Sequence, residues 1–488
     1  MAIASSLTGR TLVLGSARLG NYMVLVISPI VLTRLLDVDT YGLYREFILY
    51  AMVFMGVSKF SIDRSLIYFI PKYPEREWVF VSQCIVFSVL FFLIGIGLFS
   101  AIYTMGGFAD DFQFGNELLI YVFFLVQLDF VESYWLGRKD SFRVLLYSGI
   151  RMIARVGTVI WAAFVFGDAG SIVVGLIGVE ALRWTLVLGY LLRQKLIGWR
   201  LERSTLVEQL RFFAPLGAAN TVYTLNKYLG QIVTVVLLGP AALALYVLGA
   251  YLEMVSHLTR GSVSDVIFPD MVEAEQKTRH RSLDLWRTST VIYAFLLVPL
   301  GCFFFIHAES VVTLLFSSTY AGATPVFMVF ALLLIRDAIN FGSPLRAMNR
   351  PAAVLRGTLL SLAVTVLATW PLVSQFGLVG PALAFLAGRI AEEIYMGRQL
   401  LGITGLSLRD VLPWRQLGCL LLLAVVAVGG SWLVTLPLQE GIGRTLLAAV
   451  LGAASYLALV RYQRFAEIES LMNRLIALVR RRLAGAAA

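Results

Sequence analysis

The chain has 488 residues, of which 59% are hydrophobic and only 14% are charged. A soluble protein of this size would carry about 25% charged residues, so the composition excludes a soluble protein and predicts an integral membrane protein. The net charge of +10 does not indicate nucleic-acid binding, because the basic residues follow the gaps between apolar segments and form no patch interleaved with aromatic side chains.

About fourteen apolar segments are long enough to cross a bilayer as helices. The first six are residues 12–32, 42–60, 79–103, 118–135, 144–166 and 172–192. The others are residues 212–238, 243–268, 290–306, 325–341, 354–373, 379–400, 417–436 and 446–461. Lipid cannot satisfy free backbone polar groups, and these segments are too long and too uniformly apolar for barrel strands. The sequence therefore predicts an all-α integral membrane protein with about 14 transmembrane helices.

Lysine and arginine are concentrated in every second gap between these segments. The basic gaps, counted with the adjoining helix ends, are residues 64–76, 138–155, 193–211, 260–287, 346–356 and 398–415. The gaps between them have no Lys or Arg, and they are residues 105–117, 167–171, 239–242, 307–324 and 373–380. Because short loops rich in Lys and Arg stay in the cytoplasm, this alternation predicts that both termini are cytoplasmic.

The C-terminal residues 463–482 differ from the preceding segments. Apolar side chains recur there at helical spacing, with five arginines among them. This pattern predicts a basic amphipathic helix on the inner leaflet, and the alternative is a frayed, soluble tail.

A shift of the sequence by 202 positions reveals an internal repeat. Ile30 and Val31 then meet Ile232 and Val233, Leu43 and Tyr44 meet Leu245 and Tyr246, and Asp63 meets Asp265. The repeat predicts an N-terminal six-helix lobe in residues 1–200 and a C-terminal six-helix lobe in residues 201–405. Residues 406–488 then hold two extra transmembrane helices and the basic tail. Since the shift spans an even number of helices, the lobes form a parallel pseudo-repeat, as in many secondary transporters.

The sequence shows no motif for covalent chemistry. It has no phosphate-binding loop of the Walker type, no HExxH motif, and no nucleophile motif with plausible partners. The three cysteines, Cys84, Cys302 and Cys419, fall in apolar segments without metal-ligand spacing. We therefore predict a protein that is not an enzyme, uses no ATP and holds no metal or other cofactor.

Polar residues within the apolar segments are the better guide to function. A charge inside the bilayer costs about 2.5–3.5 kcal/mol on insertion scales, so each one needs a partner or a role. Arg18 and Lys227 lie in the first helix of each half and have no nearby acidic residue on the same helix. Two such cations predict a water-filled cavity for an anionic substrate. A structural salt bridge from Lys227 to Glu253 explains the lysine equally well.

Other intramembrane charges have local explanations. Glu180 and Arg183 are three residues apart and can pair on one helix, and Arg389 can pair with Glu392 or Glu393. We interpret both groups as structural. Lys59 is near an inner helix end, where its side chain can extend to the membrane surface.

Five short stretches resemble Wzx-type polysaccharide-lipid flippases. They are residues 29–44 (PIVLTRLLDVDTYGLY), 213–217 (FAPLG), 237–246 (LLGPAALALY), 319–325 (TYAGATP) and 376–384 (FGLVGPALA). Each stretch is short, and their order and spacing over the whole chain carry the resemblance. It implies the fold of the multidrug/oligosaccharidyl-lipid/polysaccharide exporter superfamily, with two six-helix lobes around a cleft and two extra helices.

The resemblance also implies a function. An undecaprenyl-diphosphate-linked oligosaccharide would be flipped across the bacterial inner membrane by alternating access, for assembly of O-antigen (lipopolysaccharide), capsule or exopolysaccharide. A polysaccharide polymerase and a chain-length regulator are candidate partners. An ion gradient of protons or sodium, or removal of the product outside, would drive the cycle, without a bound cofactor. The candidate substrate-binding residues are Arg18, Asn21, Arg45, Asn220, Lys227 and Arg336, and the candidate ion-coupling residues are Glu253 and Asp129.

Three other functions remain as alternatives. A lipid II flippase shares fourteen helices and basic cavity residues, but its usual first-helix pattern is not visible here. A drug/cation antiporter of the same superfamily usually has twelve helices and a more acidic cavity. A membrane scaffold or polymerase subunit would need large outer loops or a soluble domain, and the sequence contains neither.

Overall fold

The computed structural model describes residues 27–105, 112–198, 202–277, 279–439, 441–463 and 465. Two predicted site residues, Arg18 and Asn21, lie outside these ranges, and so does nearly all of the predicted amphipathic tail. Within the described residues every regular element is a helix and no strand occurs.

The helices group by packing into two compact units, Met1–Ala244 and Leu245–Ala488. The first unit contains α1 (residues 27–35), α2 (Val38–Lys59), α3 (Ile62–Lys72), α4 (Glu77–Met105), α5 (Gly115–Val126), α6 (Val131–Gly137), α7 (Ser141–Val165), α8 (Ala169–Arg193) and most of α9 (Arg203–Gly249). The second contains α10 (Leu252–Lys277), α11 (Arg279–Ile306), α12 (Ala308–Phe316), α13 (Thr324–Arg336), α14 (Gly342–Ala347), α15 (Pro351–Phe376), α16 (Gly380–Thr404), α17 (Leu408–Val411), α18 (Trp414–Thr435) and α19 (Ile442–Gln463).

Ten helical stretches among the described residues are long and apolar enough to span a membrane. Two of them, Arg203–Gly261 and Pro351–Thr404, are 59 and 54 residues long and each has room for two spans. Together with α2, the described residues have room for thirteen crossings, and most of the first predicted segment lies outside them. The protein is an all-α, multi-pass membrane protein.

The packing units divide the chain later than the predicted boundary at residue 200. The reason is that α9 packs closely on the first unit, where Gly217 is in contact with Phe60 and Gly42 approaches Pro240. Neither glycine has room for a side chain. The predicted lobes follow from the sequence repeat rather than from packing, and as such they stay a prediction.

Several predicted continuous helices are interrupted within the membrane. The predicted segment 118–135 is divided into α5 and α6 at residues 127–130, where Leu128 has a φ of 62°. Segment 325–341 likewise ends its helix at Arg336, and segment 243–268 is broken between Gly249 and Leu252. In each case the prediction of one continuous helix was wrong, because hydrophobicity indicates that a segment is buried in the membrane but does not specify its backbone angles.

The second crossing is also interrupted, just past its predicted end. Phe60 and Ser61 separate α2 from α3, and both have positive φ angles, of 40° and 55°. Side chains other than glycine adopt this conformation at a cost, so the surrounding structure must stabilise it.

Each unit has its own apolar core around these interruptions. In the first, Phe69 stacks on Phe80 with a centroid distance of 4.8 Å, and Phe87 and Phe213 meet edge to face at 5.0 Å. In the second, Trp286 packs on Phe341 at 5.4 Å. The cores hold the interrupted helices in place, since both contain residues next to a break.

Outside the membrane, acidic side chains mark helix starts. The Asp168 carboxylate accepts hydrogen bonds from the backbone N–H and the hydroxyl of Ser171 at 2.8 and 2.6 Å. These bonds lower the pKa of Asp168 from its usual value. Asp37 caps α2 in the same way, through the backbone N–H of Thr40.

We expect Gly388→Ala to destabilise the second unit by about 1–3 kcal/mol, because a methyl group there would overpack the interface of α15 and α16. A Cβ at Gly388 would lie 2.7 Å from the backbone oxygen of Ser361 and would also clash with Thr365. Gly402→Ala on the same helix is the matched control, since a Cβ there meets nothing within 4 Å. Thermal unfolding in detergent would measure both, and equal stabilities would contradict this packing.

Candidate functional site

A buried ion cluster lies in the first unit where α2 and α5 end. The Lys59 ammonium is 2.8 Å from an Asp129 carboxylate oxygen and 3.3 Å from one of Asp63. Lys59 thereby connects the interruption between α2 and α3 to the one between α5 and α6. Its side chain pairs within the protein, so the prediction that it extends to the membrane surface was wrong.

Glu180 forms the centre of this cluster and is fully buried. Its carboxylate is 2.5 Å from Arg183, 3.2 Å from Arg151 and 3.5 Å from Arg155. The predicted pair of Glu180 and Arg183 is confirmed. Arg151 also lies 2.5 Å from Asp129, so that it joins Glu180 to the Lys59 side. These residues, with Lys59 and Asp63, are called the Glu180 cluster below.

Arg183 also explains how the membrane tolerates the interruption after α5. Its guanidinium donates hydrogen bonds to the backbone carbonyls of Phe124 and Gln127, the latter at 3.1 Å. Carbonyls at a helix end have no partner within the helix, and lipid offers none. Arg183 of α8 therefore supplies the hydrogen-bond donors that these carbonyls lack within their own helix.

The Glu180 cluster lies within the predicted membrane span. Arg151 is seven residues inside the predicted segment 144–166, or roughly 10 Å along a helix. That is about a third of the hydrocarbon thickness. Charges at this depth require the partners that the structure shows.

The second unit contains a corresponding cluster at the interruption after α13. The Asp337 carboxylate is 2.5 Å from Arg336, 3.3 Å from Arg260 and 3.9 Å from Arg389. Arg389 also pairs with Glu392, which confirms the predicted local pair. These residues, with Glu393, are called the Asp337 cluster below.

The Arg336 guanidinium thus forms several ion pairs and hydrogen bonds. Besides Asp337, it contacts a Glu393 carboxylate oxygen at 2.9 Å and donates to the backbone oxygen of Arg389 at 2.7 Å. The predicted segment 325–341 contains Arg336, Asp337 and Asn340, and the prediction that they share one helix was wrong. Arg336 ends α13, and Asn340 lies in the interruption, where its backbone oxygen accepts a bond from Trp286 at 2.9 Å.

The two clusters share three features in the same chain order. Each has a cation on the second crossing of its half, an aspartate at an interruption of the fourth crossing, and an acid–arginine pair on the sixth. The acid precedes the arginine in Glu180 and Arg183, whereas Arg389 precedes Glu392. Under the shift of 202 positions, Lys59, Asp129 and Glu180 meet Gly261, Ala331 and Ala382, so the clusters do not follow the register of the sequence repeat.

Both clusters are close to charge balance. The members of the Glu180 cluster are Lys59, Arg151, Arg155, Arg183, Asp63, Asp129 and Glu180, and those of the Asp337 cluster are Arg260, Arg336, Arg389, Asp337, Glu392 and Glu393. Pairing this complete leaves little net charge to attract an anion. We therefore interpret both clusters as the polar frameworks of their units and look elsewhere for a substrate site.

An open cavity of about 640 Å³ in the first unit is the better candidate. It lies between α3 and α9 and is lined by Ser61, Arg64, Ile67, Tyr68, Phe212, Leu216, Ala219 and Asn220. We call it the Arg64 cavity. Of the residues predicted from the sequence to bind substrate, it contains Asn220.

The Arg64 cavity combines one cation with an apolar wall. The Arg64 side chain is exposed and forms no hydrogen bond or ion pair with the residues that the structure describes. The rings of Tyr68 and Phe212 stack beside it with a centroid distance of 4.7 Å. A free guanidinium binds phosphate oxygens in pairs, and the rings offer a surface to an apolar chain. Sequence reasoning missed Arg64 because it counted only as one basic residue of an inner gap.

The other predicted site residues are distributed along their helices. Lys227 lies seven residues after Asn220 on α9, and so on the same side of that helix, with its ammonium 5.2 Å from the centre of the Tyr228 ring. Arg45 on α2 is half-buried, and its Nε atom has no hydrogen-bond partner among the described residues. Glu253 is half-buried in the first turn of α10.

Residues 31–325 match the profile of a protein family described as "Polysaccharide biosynthesis protein". The chain belongs to this family. The match covers more than half of the sequence, and it confirms the family resemblance seen in the short stretches. A comparison with curated protein sequences found no significant match.

Solved structures show which fold this family member has. It is similar to the lipid II flippase MurJ in an inward closed conformation, with a TM-score of 0.63 and 14% identity over 93% of this chain and 98% of that one. An inward-facing multidrug resistance MATE transporter of the MOP superfamily gives 0.62 and 12% over 79% and 95%. A MOP superfamily transporter from Pyrococcus furiosus gives 0.51 and 14% over 82% and 97%. This member of the polysaccharide biosynthesis protein family thus has the fold of MOP superfamily transporters.

Proposed function

We propose that the protein flips an undecaprenyl-diphosphate-linked oligosaccharide from the inner to the outer leaflet of the bacterial inner membrane, for assembly of a surface polysaccharide. The observation that carries this proposal is the membership of a polysaccharide biosynthesis family by a chain with a transporter fold. A biosynthetic pathway that builds its unit on a lipid inside the cell needs a step that moves the unit across the membrane.

The Arg64 cavity supports this substrate class. A diphosphate offers oxygens for the Arg64 guanidinium, and Asn220 and Ser61 offer further polar contacts. We also propose Arg18, Asn21, Arg45 and Lys227 as substrate contacts, which the resemblance to Wzx-type flippases implies. Arg336 could take part only after its bonds to Asp337 and Glu393 open.

We further propose that an ion gradient drives alternating access, with Glu253 and Asp129 as the coupling carboxylates. Asp129 is paired with both Lys59 and Arg151, so a proton or sodium ion would have to displace at least one of them. Such an exchange would release the connection between the two interrupted crossings. This gives ion binding a way to change the shape of the first unit.

A gene-replacement experiment tests the substrate. Cells that lack the gene should lose their surface polysaccharide and accumulate the undecaprenyl-linked unit on the cytoplasmic side, and the wild-type gene should restore both. Lys227→Ala, made without loss of protein level, should fail to restore them, while Lys227→Arg should partly succeed, because phosphate recognition needs the charge.

The alternatives give different results in the same cells. If the gene instead rescued cells depleted of their lipid II flippase, the substrate would be lipid II. If it only changed resistance to cationic drugs and left the polysaccharide intact, the protein would be a drug antiporter.

A further inference from the structure

We propose that the second unit carries a binding site for an anionic phospholipid of the inner leaflet, formed by α13, α16, α17 and the start of α18. The occupant is a phospholipid of the membrane itself and not the transported substrate. The site consists of an apolar groove for an acyl chain and a neighbouring basic pocket for the headgroup phosphate.

The apolar groove has a volume of about 520 Å³. It is lined by Arg336, Ile339, Phe341, Ile390, Glu393, Ile394, Gly397, Arg398, Leu401, Leu408, Leu412 and Trp414. Most of these residues are apolar, and Ile390 and Ile394 are exposed by 43% and 52%. The charged pair at one end, Arg336 and Glu393, is already satisfied internally. The one unpaired charge of the groove among the described residues, Arg398, is exposed, so its side chain can extend toward the headgroup while the apolar wall accepts a hydrocarbon chain.

The basic pocket adjoins the groove and also has a volume of about 520 Å³. Arg409, Arg415 and Gln416 contribute its polar wall, and Leu412 and Trp414 line both pockets. A molecule with a polar head and an apolar chain could therefore occupy both at once, with Trp414 at the junction.

The arginines around the junction are available for a ligand. Arg398, Arg409 and Arg415 are all exposed, and none forms a hydrogen bond or ion pair with the residues that the structure describes. The nearest acid in sequence, Asp410, accepts a hydrogen bond from the Ser407 hydroxyl at 2.6 Å instead. The three arginines are therefore available to bind an anion.

The position and chemistry favour a phospholipid. The three arginines belong to a gap that the charge pattern predicts to be cytoplasmic, where the inner leaflet presents anionic headgroups. Basic pockets between transmembrane helices on this side bind such headgroups. Trp414, exposed by 47%, donates its ring N–H to the backbone oxygen of Leu408 at 2.8 Å, the arrangement expected of an aromatic side chain at the membrane interface.

Titration of the purified full-length protein with phosphatidylglycerol in detergent tests the headgroup pocket. We expect Arg409→Gln with Arg415→Gln to weaken binding about thirtyfold, because each basic residue near an anionic lipid contributes roughly one kilocalorie per mole. The matched control is Arg193→Gln with Lys195→Gln, which removes the same charge from another exposed basic gap and should leave the affinity unchanged. Phosphatidylcholine should bind the wild type more weakly than phosphatidylglycerol.

A second variant tests the groove without changing charge. Ile394→Trp places a larger side chain in the groove and should weaken binding of long-chain phosphatidylglycerol about tenfold, as expected from the loss of about two buried methylene groups. The proposal is overturned if both double variants weaken binding equally, or if Ile394→Trp has no effect. It is also overturned if undecaprenyl phosphate binds more tightly than phosphatidylglycerol and loses affinity in the same variants, since the site would then serve the substrate.

Discussion

Replacing Glu180 by Gln is expected to lower the free energy of unfolding by about 3–5 kcal/mol, because it leaves buried positive charges without their counter-charge. Glu180 is fully buried and contacts three arginines, Arg151, Arg155 and Arg183. Glutamine has nearly the same shape, so the change removes charge and leaves the packing in place. The result should appear as a large loss of folded protein on heating in detergent.

Glu309→Gln is the matched control for this change. Glu309 lies in the first turn of α12 and is exposed, and exposed substitutions usually change stability by less than about 0.5 kcal/mol. If Glu180→Gln were as stable as the control, the cluster would not be a framework of the first unit. Its charges would then be available for another role.

Arg64→Ala is expected to reduce transport roughly tenfold to a hundredfold while leaving the folded protein intact. The size follows from the loss of a charge-assisted hydrogen bond to phosphate. Arg64 has no partner among the described residues, so its removal leaves no buried acid unpaired. Arg64→Lys should retain part of the activity, because lysine keeps the charge and loses the paired geometry. Surface polysaccharide per cell, at matched protein level, would measure the effect.

Arg76→Ala serves as the control for Arg64. Arg76 lies in the same basic gap, but it pairs with Glu202 and is largely exposed. Removing it takes away one charge of the same face without touching the cavity. Equal losses in the two variants would mean that only the overall charge of this face matters, and the Arg64 cavity would lose its assigned role.

The sequence predicted the membrane spans well, because hydrophobicity alone decides whether a segment is buried in lipid. For example, the predicted span 79–103 lies within α4, Glu77–Met105. It also predicted the pairs within α8 and within α16, since their members are three residues apart on one helix. Local spacing is sufficient for both kinds of feature.

The interruptions and the clusters that surround them were not predicted. Asp129 meets Lys59 and Arg151, which are far from it in sequence, and no spacing rule connects such residues. The positive φ of Leu128 has no signal in its own residue type. Asp129 and Asp337, each a charged residue in the middle of an apolar segment, were the available signs of a broken helix. Asp129 was interpreted as a candidate ion-coupling residue, and neither aspartate was connected with a break in its helix.

The Arg64 cavity shows the same limit. Its residues come from α3 and α9, and only their packing brings the stacked rings of Tyr68 and Phe212 next to the free arginine. From the sequence, Asn220 could be selected as a polar residue in a membrane segment. Arg64 could not be distinguished from the other basic residues that set the topology.

The most direct test of the proposed function is lipid flipping by the purified protein in proteoliposomes. A fluorescent undecaprenyl-diphosphate-linked oligosaccharide placed in one leaflet should reach the other only when the protein is present, without ATP and faster under an ion gradient. Phospholipid analogues should not cross at the same rate. No transfer of the oligosaccharide lipid under any gradient, or transfer that requires ATP, would contradict the proposal.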